Sequence, residues 1–259
     1  LNDNINDVYY QISLYNNINF KKFSKQNKNS LNEIIKNNYY NSKLKYLDLG
    51  SGFCNNILWK NKNISIDGLE IDISILSKIE LDVNKNIYIC DISKDWSLKK
   101  NNPIYNYYKN NQFSFTNKKY NIVISNFSFH NIFKTSDGFY NFINQLNTVT
   151  IHKSKLYISL IDIQEDIYLD DGSYIKCIKN QIKYKYEINL VQNWYKTYYS
   201  FRHTKPIKEP KINLIELNKI MIKYGWKFNK EFIVEEKFKL EGNWKKLYDS
   251  IKRLEFIKL

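Results

Sequence analysis

Leu47-Asp48-Leu49-Gly50-Ser51-Gly52 is the stretch on which the fold turns. Ahead of it, residues 43 to 49 become apolar in the manner of a buried strand, and behind it residues 55 to 60 have the make-up of a helix. Two of the chain's 7 glycines fall at this junction. A strand that must turn sharply into a helix, with a ligand close to its backbone, needs residues without a Cβ there. Outward from it, residues 64 to 71 read as a second strand, 74 to 81 as a second helix and 86 to 90 as a third strand, a βαβαβ unit. Residues 93 to 119 are polar and are expected to be loop with some helix. A fourth strand is expected at 120 to 125, a helix at 138 to 149 on the spacing of Phe139, Phe142, Ile143 and Leu146, and a fifth strand at 156 to 161.

Alternation of strand and helix predicts an α/β fold of Rossmann-like, doubly wound type with a mostly parallel sheet. Residues 162 to 211 break into charged and aromatic pieces and read as an inserted lid region. An amphipathic helix at 212 to 224, a sixth strand at 226 to 235 and a closing strand at 250 to 259 bring the expected sheet to seven strands. Residues 1 to 42 read as an N-terminal helical extension, with Leu31, Ile34 and Ile35 on one helix face. The expectation is a single domain over 1 to 259, without internal repeats.

The chemistry begins at Asp48. A dinucleotide fingerprint would place another glycine at position 55, which is Asn, and a carboxylate two residues before Gly50 would repel a pyrophosphate. The same carboxylate suits a cationic ligand. S-adenosylmethionine carries positive charge on its amino and sulfonium groups, so it is the expected cofactor, with S-adenosylhomocysteine as product. Asp48 and the Gly50-Ser51-Gly52 turn would hold its methionine portion. Glu70, in Gly68-Leu69-Glu70-Ile71-Asp72, lies 20 residues after Gly50, where an acid accepts both ribose hydroxyls, and Asp72 joins it there. Asp91 follows the third strand, placed to accept from an adenine amino group. Singly, such acids are more often solvated loop residues; in this order, at three strand ends, they make a pocket.

Ser125-Asn126-Phe127-Ser128-Phe129-His130-Asn131-Ile132-Phe133 follows the fourth strand. It lacks the Asn/Asp-Pro-Pro-aromatic pattern of enzymes that methylate amino groups, and the Pro-Cys nucleophile of cytosine C5 enzymes. Guanine N7 needs neither, since its lone pair attacks the sulfonium methyl and no proton has to leave. No catalytic residue is therefore expected; proximity and alignment suffice. His130 is read as a guanine contact rather than a general base, against the commoner reading of a lone His as a packing residue.

Composition constrains partners more loosely. Forty Lys and Arg against 26 Asp and Glu give +14, alongside 22 Tyr and 15 Phe, which suits a polyanionic partner with bases to stack. An AT-rich coding bias would give the same excess of Asn, Lys, Ile and Tyr. The 3 cysteines, at positions 54, 90 and 177, offer no disulfide framework and no zinc spacing, so no metal is expected and a reducing compartment fits. No run of about 18 apolar residues is present, and no secretory leader pattern, so a soluble cytoplasmic protein with no membrane partner is expected. An opening Leu1 in place of Met suggests a piece of a longer polypeptide.

With these residues placed, the chain resembles the mRNA cap guanine-N7 methyltransferases, of the kind found in multifunctional capping enzymes of cytoplasmic DNA viruses and yeast linear plasmids. Asn126-Phe127-Ser128-Phe129-His130-Asn131-Ile132-Phe133 matches that family's segment at its Phe, His and final Phe, with Asn126 for Gln and Asn131 for Tyr. The resemblance implies a class I methyltransferase that binds capped RNA 5′ ends, and as partners other capping domains or an activating subunit. It puts Lys28, in Gln26-Asn27-Lys28-Asn29-Ser30-Leu31, on the cofactor carboxylate, and Asn126 and Phe127 beside the cofactor. His130, Asn131, Tyr199, Phe201 and aromatics from the region of Tyr195 to Phe201 would hold the guanine, and Glu209 would accept from its N1 and N2 donors. Alternatives are methylation of another RNA position or a small molecule, or a catalytically silent subunit of a capping complex.

Overall fold

The computed structural model describes residues 18–52, 54–72, 84–94, 96, 118–135, 137–179, 191–198 and 205–259. The expected helix at 74–81, and nearly all of the polar stretch at 93–119, lie outside these residues.

The main sheet follows from strands buried on both faces. β1 (Lys45–Leu49), β2 (Ser65–Glu70), β3 (Lys85–Ile89), β4 (Tyr120–Asn126) and β5 (Thr150–Ile161) run parallel in the spatial order β3-β2-β1-β4-β5. Two later strands complete the sheet beyond β5. Chain order reverses between β1 and β4, which opens a crevice at their C-terminal ends. α1 (Ile18–Asn38) and the short α2 (Ile57–Lys60) cover one face, where Leu31, Ile34, Ile35, Leu58 and Trp59 pack with Tyr46 and Ile66. On the other face lie the 3-10 helix Phe129–Lys134 and α3 (Gly138–Val149), whose Phe139, Phe142, Ile143 and Leu146 are fully buried. Each such side chain contributes about 1.5–3 kcal/mol relative to exposure. The doubly wound expectation holds, and α3 matches its sequence span.

Beyond β5 the chain makes a second, four-stranded antiparallel sheet: β6 (Ile167–Tyr168), β7 (Tyr174–Lys179), β8 (Val191–Tyr198) and β9 (Ile207–Ile212). The described part of the lid stretch thus forms a sheet, whose alternation was hidden because aromatic and charged residues are mixed along its strands. Ile212 ends β9 rather than opening a helix; α4 (Leu214–Lys223) starts after it because Asn213 caps the backbone N–H groups of Ile215 and Glu216. β10 (Trp226–Glu231) is shorter than expected. A helix absent from the sequence reading, α5 (Gly242–Asp249), precedes β11 (Ile251–Lys258), which runs antiparallel to both β5 and β10 and gives the full order β10-β11-β5-β4-β1-β2-β3. β5 also begins earlier than its apolar core suggested, since its first residues are mostly exposed.

Candidate functional site

Gly50 turns the chain at the end of β1 with φ +67°, in the left-handed region that favours glycine. A Cβ there would also come within 2.5 Å of Ser128 Cβ. That serine reaches under the turn: its hydroxyl donates to the Leu49 carbonyl and lies 2.7 Å from Ser125 Oγ. The β1 turn and the segment after β4 are thereby locked together. Phe127 adopts φ +55° without being glycine, and its N–H is held by Ser159 Oγ at 3.1 Å, while that hydroxyl donates to Asn126 Oδ1 at 2.7 Å. A strained backbone so firmly determined by its neighbours is a feature of binding sites.

Asp48 is buried in the sheet, and its Oδ2 accepts from Trp59 Nε1 at 2.7 Å and Asn56 Nδ2 at 3.0 Å. Its neighbour in β2 is Gly68, where a Cβ would meet Ser51 Oγ and Trp59 Cζ2 at 2.8 Å; the glycine lets the indole reach the carboxylate. Burial pushes the Asp48 carboxyl up to about 6, opposed by the Trp59 and Asn56 hydrogen bonds and aided by the charge of Glu70. Glu70 is committed to the backbone: Oε2 accepts from Gly52 N at 2.7 Å, and Oε1 from Ile71 N at 2.9 Å and Asp72 N at 3.0 Å. It clamps the glycine turn to the end of β2.

A cavity of about 550 Å³ opens above these strand ends. Among the expected cofactor residues, Lys28, Asp48, Gly50, Ser51, Gly52, Asn126 and Phe127 line it; Glu70, Asp72 and Asp91 do not. Asp72 is exposed. Asp91 instead accepts from Ser93 N at 3.0 Å and Ser93 Oγ at 2.7 Å, and pairs with Lys94. Burial works against its ionisation, but these partners outweigh it and hold the carboxyl below its usual range. Lys28 lies on α1 close to Lys60, and burial together with that second amine lowers its pKa.

In the wall of the same cavity the 3-10 helix and β9 bring together two residues 79 positions apart: His130 Nε2 lies 3.4 Å from Glu209 Oε1, both partly shielded and both lining it. Burial would raise the Glu209 carboxyl, yet the hydrogen bond and charge of His130, with Lys134 and Thr197, hold it below the ordinary carboxylate value. Glu209 is therefore a strand residue facing the cavity, not an exposed acid ahead of a helix. Asn131 does not line the cavity, and Tyr199 and Phe201 lie outside the described residues.

Sequence reasoning missed the aromatic wall. Phe20, Phe23, Ser24, Asn27, Lys28 and Leu31 share one face of α1 at helical spacing and look into the cavity. Trp244 of α5 meets them, with ring centroids 6.1 Å from Phe20 and 5.4 Å from Phe23. The spacing along α1 was legible; the pairing with Trp244 was not, because α5 was not recognised. Among the described residues, no cluster of His, Cys, Asp and Glu has the arrangement of a metal site, and no helix is long and apolar enough to cross a membrane.

By sequence the chain matches no family model and no curated protein. Solved structures resemble it by shape. One, from Listeria monocytogenes and provisionally assigned as an S-adenosylmethionine-dependent methyltransferase, aligns with TM-score 0.58 at 11% identity over 89% of this chain and 99% of that one. The glycopeptide N-methyltransferase MtfA in complex with S-adenosylmethionine aligns with TM-score 0.52 at 9% identity, over 90% and 94% of the two chains. A Burkholderia thailandensis 1,6-didemethyltoxoflavin N1-methyltransferase, with its substrate and S-adenosylhomocysteine bound, gives 0.52 at 8% identity over 90% and 78%.

Proposed function

Because the chain has the Rossmann-like fold of class I S-adenosylmethionine-dependent methyltransferases, we propose that it transfers a methyl group from S-adenosylmethionine to N7 of the guanine cap of RNA. The observation that carries this reading is the meeting of His130 and Glu209 on the wall of the cavity that Asp48 and the Gly50 turn also line.

The residues at the strand ends fit the cofactor. Among the described residues the buried Asp48 carboxylate has no cationic partner, and a ligand ammonium would stabilise its ionised form. Ser51, in the glycine turn, lines the cavity and offers its hydroxyl to a ligand. Lys28 would hold the methionine carboxylate. Glu70 uses three of its roughly four acceptor sites on the backbone, leaving one for a ribose hydroxyl. Asp72 and Asp91, set off from the cavity, would flank the adenosine end. When bound, the cofactor would supply an electrophilic sulfonium methyl to the N7 lone pair, with S-adenosylhomocysteine as the leaving group.

The protein's task is then alignment. Glu209, kept ionised by His130, accepts from the N1–H and N2–H donors of guanine, and Phe20, Phe23 and Trp244 offer ring surfaces to the purine. His130 is a positioning residue that fixes the Glu209 carboxylate. The capped RNA 5′ end is the proposed partner, with other capping domains or an activating subunit beside it in the cytoplasm. A second reading, N-methylation of a free planar heterocycle, draws on the same aromatic wall. Incubation with methyl-labelled S-adenosylmethionine and GpppA-capped RNA separates the two. Label in 7-methylguanosine after digestion is expected; an unlabelled cap would sink the cap reading.

A further inference from the structure

The four-stranded sheet has two faces, and the second is not used by the cavity. Residues directly opposite one another in antiparallel strands point to the same side. Tyr195 of β8 stands opposite Cys177 of β7 and Glu209 of β9; this side packs on α5 and reaches the cavity. On the other side Lys176, Lys196 and Lys208 stand abreast, one from each of β7, β8 and β9. Lys196 and Lys208 are exposed. The Lys176 amine lies 5.0 Å from the Tyr168 ring and 4.9 Å from the Tyr174 ring, and these two rings are 6.4 Å apart on adjacent strands. Among the described residues, none of the three lysines has an acidic partner.

Like charges directly opposite across strands are unfavourable. A compositional excess of lysine would scatter over the surface; here the register concentrates it in a row spanning two strand spacings, about 10 Å, with aromatic rings at one end. A row of amines beside one exposed ring, Tyr168, and one half-buried ring, Tyr174, is the chemistry that holds a single-stranded nucleic acid, phosphates on the amines and bases on the rings. We propose that this outer face binds single-stranded RNA, with Lys176, Lys196 and Lys208 on its phosphates and Tyr168 and Tyr174 beneath its bases. The proposal rests on the cap reading only for its choice of RNA as the polyanion, and it gives the chain behind the cap a track.

The test uses a fluorescent, uncapped 12-nucleotide oligouridylate and anisotropy at several salt concentrations. The variant K176Q/K196Q/K208Q is expected to bind more weakly, with the slope of log affinity against log salt smaller by about 2, the loss of three single-strand phosphate contacts. K43Q/K62Q/K227Q, which removes three exposed lysines elsewhere, should keep the wild-type slope. Y168A/Y174A should weaken binding without changing the slope. Equal losses in the two lysine variants, an unchanged slope in the first, or no binding by the wild-type protein would each overturn the proposal. Thermal melting controls for folding: relief of the like-charge row should leave the first variant at least as stable as wild type. Oligouridylate binding through this face with no methyl transfer to GpppA-RNA would leave the proposal standing and remove the cap reading. Cap methylation that is indifferent to all three variants, without oligouridylate binding, would do the reverse.

Discussion

At the scale of single residues, Asp48 sets the sharpest expectation. Its carboxyl is raised to about 6 by burial, above an unfolded-state value of about 3.9. Between those values the native state holds a proton that the unfolded chain has lost, so stability of the ligand-free protein falls as pH rises through that window, by roughly 3 kcal/mol in all. A cationic ligand prefers the ionised form, so its affinity should climb as pH rises toward and past 6 and then level off. Asp48→Asn should flatten both profiles, measured by urea denaturation and by calorimetric titration; an Asn variant with the wild-type pH profiles would show that Asp48 is not the titrating group. Glu209 has the opposite sign. Its lowered pKa means that its pairing with His130 contributes stability above the usual carboxylate range and loses it as pH falls through that range. His130→Ala should therefore raise KM for capped RNA more than it lowers kcat. An equal effect on both would point to a role in the chemical step. Gly50→Ala combines a left-handed φ with a clash on Ser128 and should cost about 1–3 kcal/mol of stability, with Ser128→Gly relieving only the steric share.

At the scale of elements, α1 joins the cavity to the C-terminal segment. The fully buried Gln26 donates to Glu235 O and Tyr248 Oη at 3.0 Å, and its Oε1 accepts from Lys237 N at 2.9 Å and Phe238 N at 3.3 Å. Gln26→Leu would leave two backbone N–H groups without that acceptor and should lower the unfolding free energy by about 3 kcal/mol. A loss under about 0.5 kcal/mol would mean that solvent replaces the side chain. Gln26 was read in sequence only as part of a loosely matched motif, since a lone polar residue on a helix gives no hint of burial. The strands of the main sheet were legible because burial on both faces leaves continuous apolar runs such as Ile122 to Ile124. The small sheet was not, because Ile175 and Tyr195 alternate with lysines and tyrosines rather than standing in a continuous apolar run, and Pro210 sits within β9. The glycine turn and the acids at the strand ends could be placed by spacing. Their partners could not: Trp59 on Asp48, Ser128 under Gly50, and the backbone clamp made by Glu70 are contacts that exist only once the sheet has formed.

At the scale of the whole molecule, two sheets divide the labour. The parallel sheet presents Asp48 and its glycine turn, and the antiparallel sheet carries Glu209 across to face His130, so that both acids line one cavity. The acid at the strand end is raised toward neutrality and suited to a cation; the acid on the small sheet is held ionised and suited to the donor edge of a base. The net charge of +14 would attract RNA to such a cavity without specifying it. The measurement that bears most directly on this division is calorimetric titration of S-adenosylmethionine and of GpppA into the wild-type protein, Asp48→Asn and Glu209→Gln. Asp48→Asn is expected to lose S-adenosylmethionine binding by about tenfold or more while Glu209→Gln keeps it, and Glu209→Gln is expected to lose GpppA. Equal losses of both ligands in both variants, or full retention of S-adenosylmethionine by Asp48→Asn, would contradict this division.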